Sequence, residues 1–309
     1  MTDHHEALII GGGPAGLTAG LYLMRAGIRT LLCEKVLLGG APLNTERIEN
    51  YPGFPEGISG RELMDRFAAQ ARAFGLPVRE FTEVHGIRQA EGVFVVGLND
   101  GEIAADGIIV ASGSEPVKLG IPGESELAGR GISYCATCDG MFFRGLDVAV
   151  IGGGDSAIEE ALSLANIVKK VYVVHRRDSL RAQKILQERA FNNPRMEFIW
   201  NALPVEVTGT REVEGLVVAD TVTGQRTTIP VSGVFFYVGY RPSTAFLGEY
   251  VDRDPTGYIM TDDRCVTRTP GLYAAGDVRK KTLRQISTAV GDGAVAAVSL
   301  ERYILERKG

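Results

Sequence analysis

Twice along this chain a short apolar run breaks into a glycine-rich turn and resumes as a longer apolar stretch with helical spacing. In ALIIGGGPAG, residues 7–16, the apolar run reads as a buried strand that meets Gly11, Gly13 and Gly16. A helix follows, and TLLCEK reads as a second strand ending at Glu34. VAVIGGGDSA, residues 148–157, repeats the opening with Gly152, Gly154 and Ala157. The spacing then predicts a helix through AIEEALSLANIV and a strand in VYVVHRR that sets His175 in the place of Glu34. A single offset of 141 residues carries Gly11 to Gly152, Gly13 to Gly154, Gly16 to Ala157 and Glu34 to His175. Repetition at one offset marks a βαβ unit used twice.

The remaining chain predicts that one unit is nested in the other. IIVASG, ending near Gly113, runs into the turn-rich Ser114, Glu115 and Pro116, and VFFYVGYRP, with Gly239 and Pro242, has the same character later. These read as two crossings of a hinge around an inserted domain. Residues 1–114 and 246–309 then form one domain and 115–245 the other. The first domain continues through a strand in TPGLYAAGD to a C-terminal helix beginning near Arg284. The predicted fold is α/β, with two nested Rossmann-like dinucleotide-binding domains, the second inserted in the first.

Each glycine triplet follows a strand and opens a helix, with a diagnostic residue eighteen positions after the third glycine. That context separates a dinucleotide fingerprint from an ordinary glycine turn, because a side chain there would hold a pyrophosphate away from the helix N-terminal N–H groups. Two units imply two dinucleotides. Glu34 ends its strand where an acid accepts hydrogen bonds from the hydroxyls of an adenosine ribose, which suits the ADP half of FAD or NAD. Asp277 and the helix starting around Arg284, Gln285 and Ile286 favour FAD: the acid suits the ribityl or pyrophosphate region, and a helix N-terminus stabilises negative charge on a reduced ring. In the second unit the acid is replaced by His175, Arg176 and Arg177, with Arg181 one turn further on. Arginines that hold a 2'-phosphate make NADPH the expected second cofactor; the competing reading is a basic cluster on a solvated face.

Charge and cysteine usage narrow the partners. A formal net charge of -5 without long like-charge runs gives no footprint for nucleic acid or an anionic membrane. The opening MTDHHE has no leader pattern, and no stretch approaches the ~20 apolar residues of a membrane span. A soluble cytoplasmic protein with small-molecule or protein partners is expected. His4 and His5 are assigned no role, and no metal site is expected. Four cysteines in a chain of 309 residues form no disulfide framework, so any disulfide is a working one.

Cys135 and Cys138, in SYCATCDG, point to the reaction. Two intervening residues let the thiols close a small disulfide ring and lower the pKa of one thiol. No second CxxC or CxxH completes a zinc site. Asp139 admits two readings: an acid holding a proton near the sulfur that leaves a mixed disulfide, or a turn aspartate before Gly140. Cys33 and Cys265 have no cysteine at CxxC distance and read as packing residues, as does Trp200.

The order GGGPAG, ENYPG, ASG, CATCDG, GGGDSAIEEAL, HRRDSLRA, YAAGD and RQIS resembles the bacterial and archaeal low-molecular-weight thioredoxin reductases over essentially the whole chain. The resemblance implies FAD held by Gly11, Gly13, Pro14, Ala15, Gly16, Glu34, Lys35, Gly40, Ala41, Asn50, Gly113, Gly276, Asp277, Arg284, Gln285 and Ile286. It implies NADPH held by Gly152, Gly154, Asp155, Ser156, Ala157, His175, Arg176, Arg177 and Arg181. It further implies catalysis by Cys135, Cys138 and Asp139, thioredoxin or a thioredoxin-like protein as partner, and a homodimer. Two departures stand out: Ala41 and Pro42 follow Gly39 and Gly40 where the family commonly has Gln and Leu, and Met141 precedes Phe142 where two aromatics are frequent.

The implied electron path runs from NADPH to flavin, to the Cys135 and Cys138 disulfide, and on to an external protein disulfide. Since nicotinamide and cysteines share the inserted domain, that domain is expected to rotate about its hinge. The rival readings are a flavin-dependent dithiol oxidase, which would dispense with NADPH, and a non-catalytic redox or nucleotide sensor.

Overall fold

The computed structural model describes residues 3–45, 47–90 and 92–308, with the side chains at 137 and 138 outside the description. The chain divides into two compact units, one built from Met1–Glu115 with Arg241–Gly309, the other from the intervening Pro116–Tyr240. The first segment carries strands β1 (Asp3–Ile10), β2 (Thr30–Cys33), β3 (Val78–Arg79), β4 (Val84–Ala90), β5 (Val93–Leu98) and β6 (Gly101–Val110), with helices α1 (Pro14–Arg25) and α2 (Gly60–Ala73). Strand β7 (Ser114–Pro116) leads into the insert. There lie β8 (Ile132–Ser133), α3 (Ala136–Asp139), β9 (Asp147–Ile151), α4 (Asp155–Ala165), β10 (Lys170–Val174), α5 (Lys184–Phe191), β11 (Met196–Ile199), β12 (Ala202–Thr208), β13 (Gly215–Asp220), β14 (Arg226–Ile229) and β15 (Gly233–Phe236). Strand β16 (Tyr240–Pro242) returns and pairs with β7; β17 (Leu272–Ala274) and α6 (Ile286–Lys308) follow.

In the first unit the strand order is β3-β2-β1-β6-β5-β4, with β17 also on β6. Strands β3, β2, β1, β6 and β17 run parallel, and β5 and β4 extend the sheet as an antiparallel meander. Period-two alternation divides β1 between two cores: Ala7 and Ile9 meet α1, α2 and α6, while Leu8 and Ile10 meet Phe94, Val96 and Leu247. Leu8 and Ile9, fully buried, contribute about 1.5–3 kcal/mol each. The sequence reading put the return crossing at 245. The chain leaves the insert at Tyr240, and within the next few residues the Ser243 N–H donates to the Gly113 carbonyl at 3.1 Å, which ties this stretch to the first segment.

Gly11 (φ +108) permits the turn from β1 into α1, and a Cβ there would lie 2.4 Å from the Ala111 carbonyl oxygen. At Gly16 a Cβ would come within 1.9 Å of the Gly11 oxygen, so helix and turn close on each other only through glycine.

The insert repeats the plan. Its five-stranded sheet, β11-β10-β9-β15-β8, is wholly parallel. Val148 and Val150 face α4 and α5, while Ala149 and Ile151 face the antiparallel sheet β12-β13-β14 through Leu216, Val218 and Ile229.

Candidate functional site

In the first unit, α1 starts at Pro14 behind Gly13 with no side-chain cap and no acid in its first turn. By contrast α2 is closed by Ser59, whose hydroxyl accepts the Glu62 N–H at 3.1 Å. The open N-terminus of α1 therefore keeps unpaired N–H groups and a positive dipole end for an anion. Pro14, Ala15 and Gly16 are buried in that turn. Glu34 braces the loop from the next strand: Oε2 accepts the Gly12 N–H at 2.7 Å and Oε1 accepts the Val36 N–H at 2.9 Å. Each carboxylate oxygen keeps a second lone pair for a ribose hydroxyl. Lys35 is exposed and pairs with Glu83 at 2.8 Å. The Gly39 N–H donates to the Gly12 carbonyl at 2.9 Å, and Gly40 sits so close to Gly13 that a Cβ would meet its Cα at 3.2 Å. Ala41 opens a short 3-10 turn, Ala41–Asn44. Gly113 (φ +65) ends the segment after β6 and accepts the Ser243 N–H at 3.1 Å.

The third wall of this cradle follows β17. Gly276 (φ +79) turns the chain against Ala15, and Asp277 follows, with burial raising its pKa against the pull of Lys281 and Arg284. Its Oδ1 is buried with no hydrogen-bond partner among the described residues; Lys281 Nζ is 3.6 Å away. Arg284 stacks on Tyr258 with the guanidinium carbon 3.7 Å from the ring centroid, and its buried Nε also lacks a partner among the described residues. Orphaned buried polar atoms are costly unless a ligand meets them. An uncapped helix, a strand-end acid and these two atoms fit FAD. The helix itself begins at Ile286, slightly later than expected, because the Gln285 N–H is taken by Thr288 Oγ1 at 3.1 Å. Asn50 Nδ2 donates to Gln285 Oε1 at 3.1 Å.

The insert carries the second cradle. Helix α4 again starts behind a glycine, Gly154, without a side-chain cap, and a Cβ at Gly154 would meet nothing within 4 Å. Asp155 is not free: its oxygens accept the Gln183 N–H at 2.7 Å and Gln183 Nε2 at 3.1 Å, holding the start of α5. Ser156 is exposed on the first turn and Ala157 is buried beside Gly152. His175 is 5% exposed, with its ring behind Gly153. Burial, with help from Arg181 and Arg176, lowers its pKa, so the ring is neutral. Positive charge therefore falls to Arg176, Arg177 and Arg181. All three are exposed, and none pairs with a carboxylate among the described residues. The Arg181 N–H donates to the Gly153 carbonyl at 2.7 Å, folding this basic loop back on the glycine turn. Trp200 stacks on Phe198 at 5.1 Å, a packing role.

Cys135 is half-buried and disulfide-bonded. The Cys138 side chain lies outside the described residues. The backbone of this turn is tied at three places: the Cys135 N–H donates to Ser133 Oγ at 3.0 Å, the Ala136 N–H to the Tyr237 hydroxyl at 2.8 Å, and the Asp139 N–H to the Cys135 carbonyl at 3.2 Å. The Ser133 hydroxyl donates to Asp139 Oδ2 at 2.7 Å. Burial pushes Tyr237 far above its ordinary pKa, with Glu160 adding to the shift, so its hydroxyl stays neutral. Sequence reasoning missed Ser133 and Tyr237. Ser133 stood two residues from Cys135 in plain view, whereas nothing linked Tyr237 to a turn 101 residues away. Cys33 and Cys265 are free and buried, their thiols pushed up to about 11 by desolvation.

The pyridine nucleotide-disulphide oxidoreductase family matches residues 5–293. The thioredoxin reductase of Bacillus subtilis is 44% identical over 303 residues, 98% of this chain and 95% of the relative. The bifunctional thioredoxin reductase/thioredoxin of Mycobacterium leprae is 46% identical over 307 residues, 99% of this chain and 67% of that protein. Among solved structures, Lactococcus lactis thioredoxin reductase (FR conformation) superposes with a TM-score of 0.95 at 44% identity, covering 98% of this chain and 99% of that one. T. acidophilum thioredoxin reductase gives 0.93 at 37% identity, covering 97% and 98%.

Proposed function

The chain belongs to the pyridine nucleotide-disulphide oxidoreductase family, and from that premise we propose that it is an NADPH-dependent thioredoxin-disulfide reductase. The observation that carries the reading is Cys135: it is disulfide-bonded and only half-buried, whereas Cys33 and Cys265 are buried free thiols. FAD, held by the first unit, and NADPH, held by the insert, together supply two electrons to the Cys135 and Cys138 disulfide when bound. The opened dithiol then attacks a disulfide of thioredoxin. One enzyme sulfur forms a mixed disulfide while a substrate sulfur leaves as thiolate and takes a proton. The second enzyme sulfur displaces the remaining substrate sulfur, and the enzyme disulfide closes with two electrons and two protons passed on. Asp139 is the acid for the leaving sulfur.

Met141 and Phe142, 56% and 80% exposed beside this turn, offer thioredoxin an apolar contact. Exposed Val295, Val298 and Leu305 along α6 support a homodimer. Among the described residues no helix is long and apolar enough to cross a membrane, in keeping with a proposed cytoplasmic location.

The test is reduction of oxidised thioredoxin by the yellow purified protein with NADPH or NADH. NADPH-driven turnover is expected. Its absence overturns the reading in favour of a sensor, and thiol oxidation by oxygen without nicotinamide would favour an oxidase.

A further inference from the structure

Ser133 is 3% exposed at the end of β8, where pairing of that strand with Phe235 of β15 fixes its backbone. Its hydroxyl accepts the Cys135 N–H at 3.0 Å and stands 2.7 Å from Asp139 Oδ2 and 3.1 Å from the Cys135 carbonyl. A hydroxyl has one hydrogen, and the shorter contact, to Asp139 Oδ2, takes it. One buried atom therefore links the backbone of a redox cysteine to the carboxylate beside the pair. We propose that Ser133 is the positioning residue of the acid: by holding Oδ2 it leaves Oδ1 as the oxygen that delivers the proton to a departing thiolate.

The inference rests on Asp139 acting as the acid in the proposed reaction. In that step an enzyme thiolate bonds to one substrate sulfur as the substrate S–S bond breaks, the electron pair of the broken bond goes to the departing sulfur, and the proton on Asp139 moves to that sulfur, leaving a carboxylate that keeps the Ser133 hydrogen bond. Without the hydroxyl the carboxyl group turns freely, and orientation is lost before any chemistry changes. Tyr237 supplies the contrast. Its hydroxyl ties the Ala136 N–H at 2.8 Å but is not among the hydrogen-bond partners of Asp139.

Leaving-group dependence separates proton delivery from a structural role, because an acidic aromatic thiol departs unaided while an alkyl thiolate needs its proton. Reduced holoenzyme of the wild type, Ser133→Ala, Asp139→Asn and Tyr237→Phe is mixed in stopped flow with dithionitrobenzoate or with hydroxyethyl disulfide. Anaerobic bleaching of the flavin by NADPH, which requires a folded insert, verifies each variant, and Ser133→Gly replaces Ser133→Ala if that variant fails it. Ser133→Ala is expected to slow the alkyl disulfide about tenfold relative to the aromatic one, part of the ~100-fold or more that a general acid contributes. Asp139→Asn should act in the same direction, and Tyr237→Phe should change both rates alike. Equal changes for both disulfides in Ser133→Ala, with Asp139→Asn still selective, overturn the positioning role alone. An unselective Asp139→Asn overturns the acid and the positioning role together.

Discussion

Replacing Arg176 and Arg177 together by alanine isolates the choice between NADPH and NADH. Both guanidinium groups are exposed, and neither has a carboxylate partner among the described residues, so their charge is available to a ligand. A 2'-phosphate carries about -1.5 to -2 charges, and an exposed ion contact contributes about 1 kcal/mol. Two contacts come to ~2 kcal/mol, a rise of about thirtyfold in the KM for NADPH. NADH lacks the phosphate and should change less than about twofold. Because exposed pairs are screened, raising the salt towards ~0.5 M should shrink the wild-type preference and leave the variant nearly flat. The loop itself should persist, since the Arg181 N–H to Gly153 carbonyl bond is made by backbone. Initial rates with each nucleotide at two ionic strengths give the measurement. An unchanged ratio of NADPH to NADH use, or an equal loss with both, refutes the reasoning.

Three further outcomes are expected. Cys135→Ser should retain FAD and anaerobic bleaching of the flavin by NADPH while losing thioredoxin reduction, with Cys33→Ala and Cys265→Ala as turnover-competent controls; residual turnover near wild type in Cys135→Ser contradicts the relay. Gly16→Ala forces a Cβ to within 1.9 Å of the Gly11 oxygen, so overpacking of about 1–3 kcal/mol should lower the Tm and FAD content. Gly154→Ala, with nothing within 4 Å, should keep its Tm and lose NADPH affinity alone, a contrast that melting curves of both variants decide. Burial lowers the pKa of His175, so the unfolded chain binds the proton that the folded chain refuses. Stability should therefore fall as pH drops below about 6.5, and denaturant melts of His175→Gln should show a shallower fall than wild type between about pH 7.5 and 5.5.

The nested α/β plan was legible because it is written locally. The glycine turns, the strand before each and the residue at the end of the next strand all lie within one βαβ unit: Gly16 closes on Gly11, and Glu34 takes the Gly12 N–H, across that short span. Less legible was anything made by residues distant in sequence. Asn50 meets Gln285, and Tyr237 meets Ala136, only because parallel strands bring different loops to one sheet edge. Chemical type alone also left the division of labour open. Asp155 holds Gln183 at the start of α5, and His175 is a buried ring whose pKa burial lowers, which leaves the positive charge to the arginines beside it. The antiparallel strands β12, β13 and β14 were not foreseen, since each buries one face over a few residues and carries no motif.

The paired crossings β7 and β16 order events on the ribosome. The insert is contiguous, so Pro116–Tyr240 has left the tunnel and holds every strand of its sheets before the first unit is whole. The first unit must wait, because β17 pairs with β6, and α6 packs on α1 with Gly293 against the Ala15 carbonyl, only after the insert has been made. Until then the face of β1 that carries Ala7 and Ile9 has α1 and α2 but lacks α6, and the apolar surface that α6 covers stands open in the nascent chain. The half-built flavin cradle, rather than the dithiol domain, is therefore the stage at which a chaperone would find this protein.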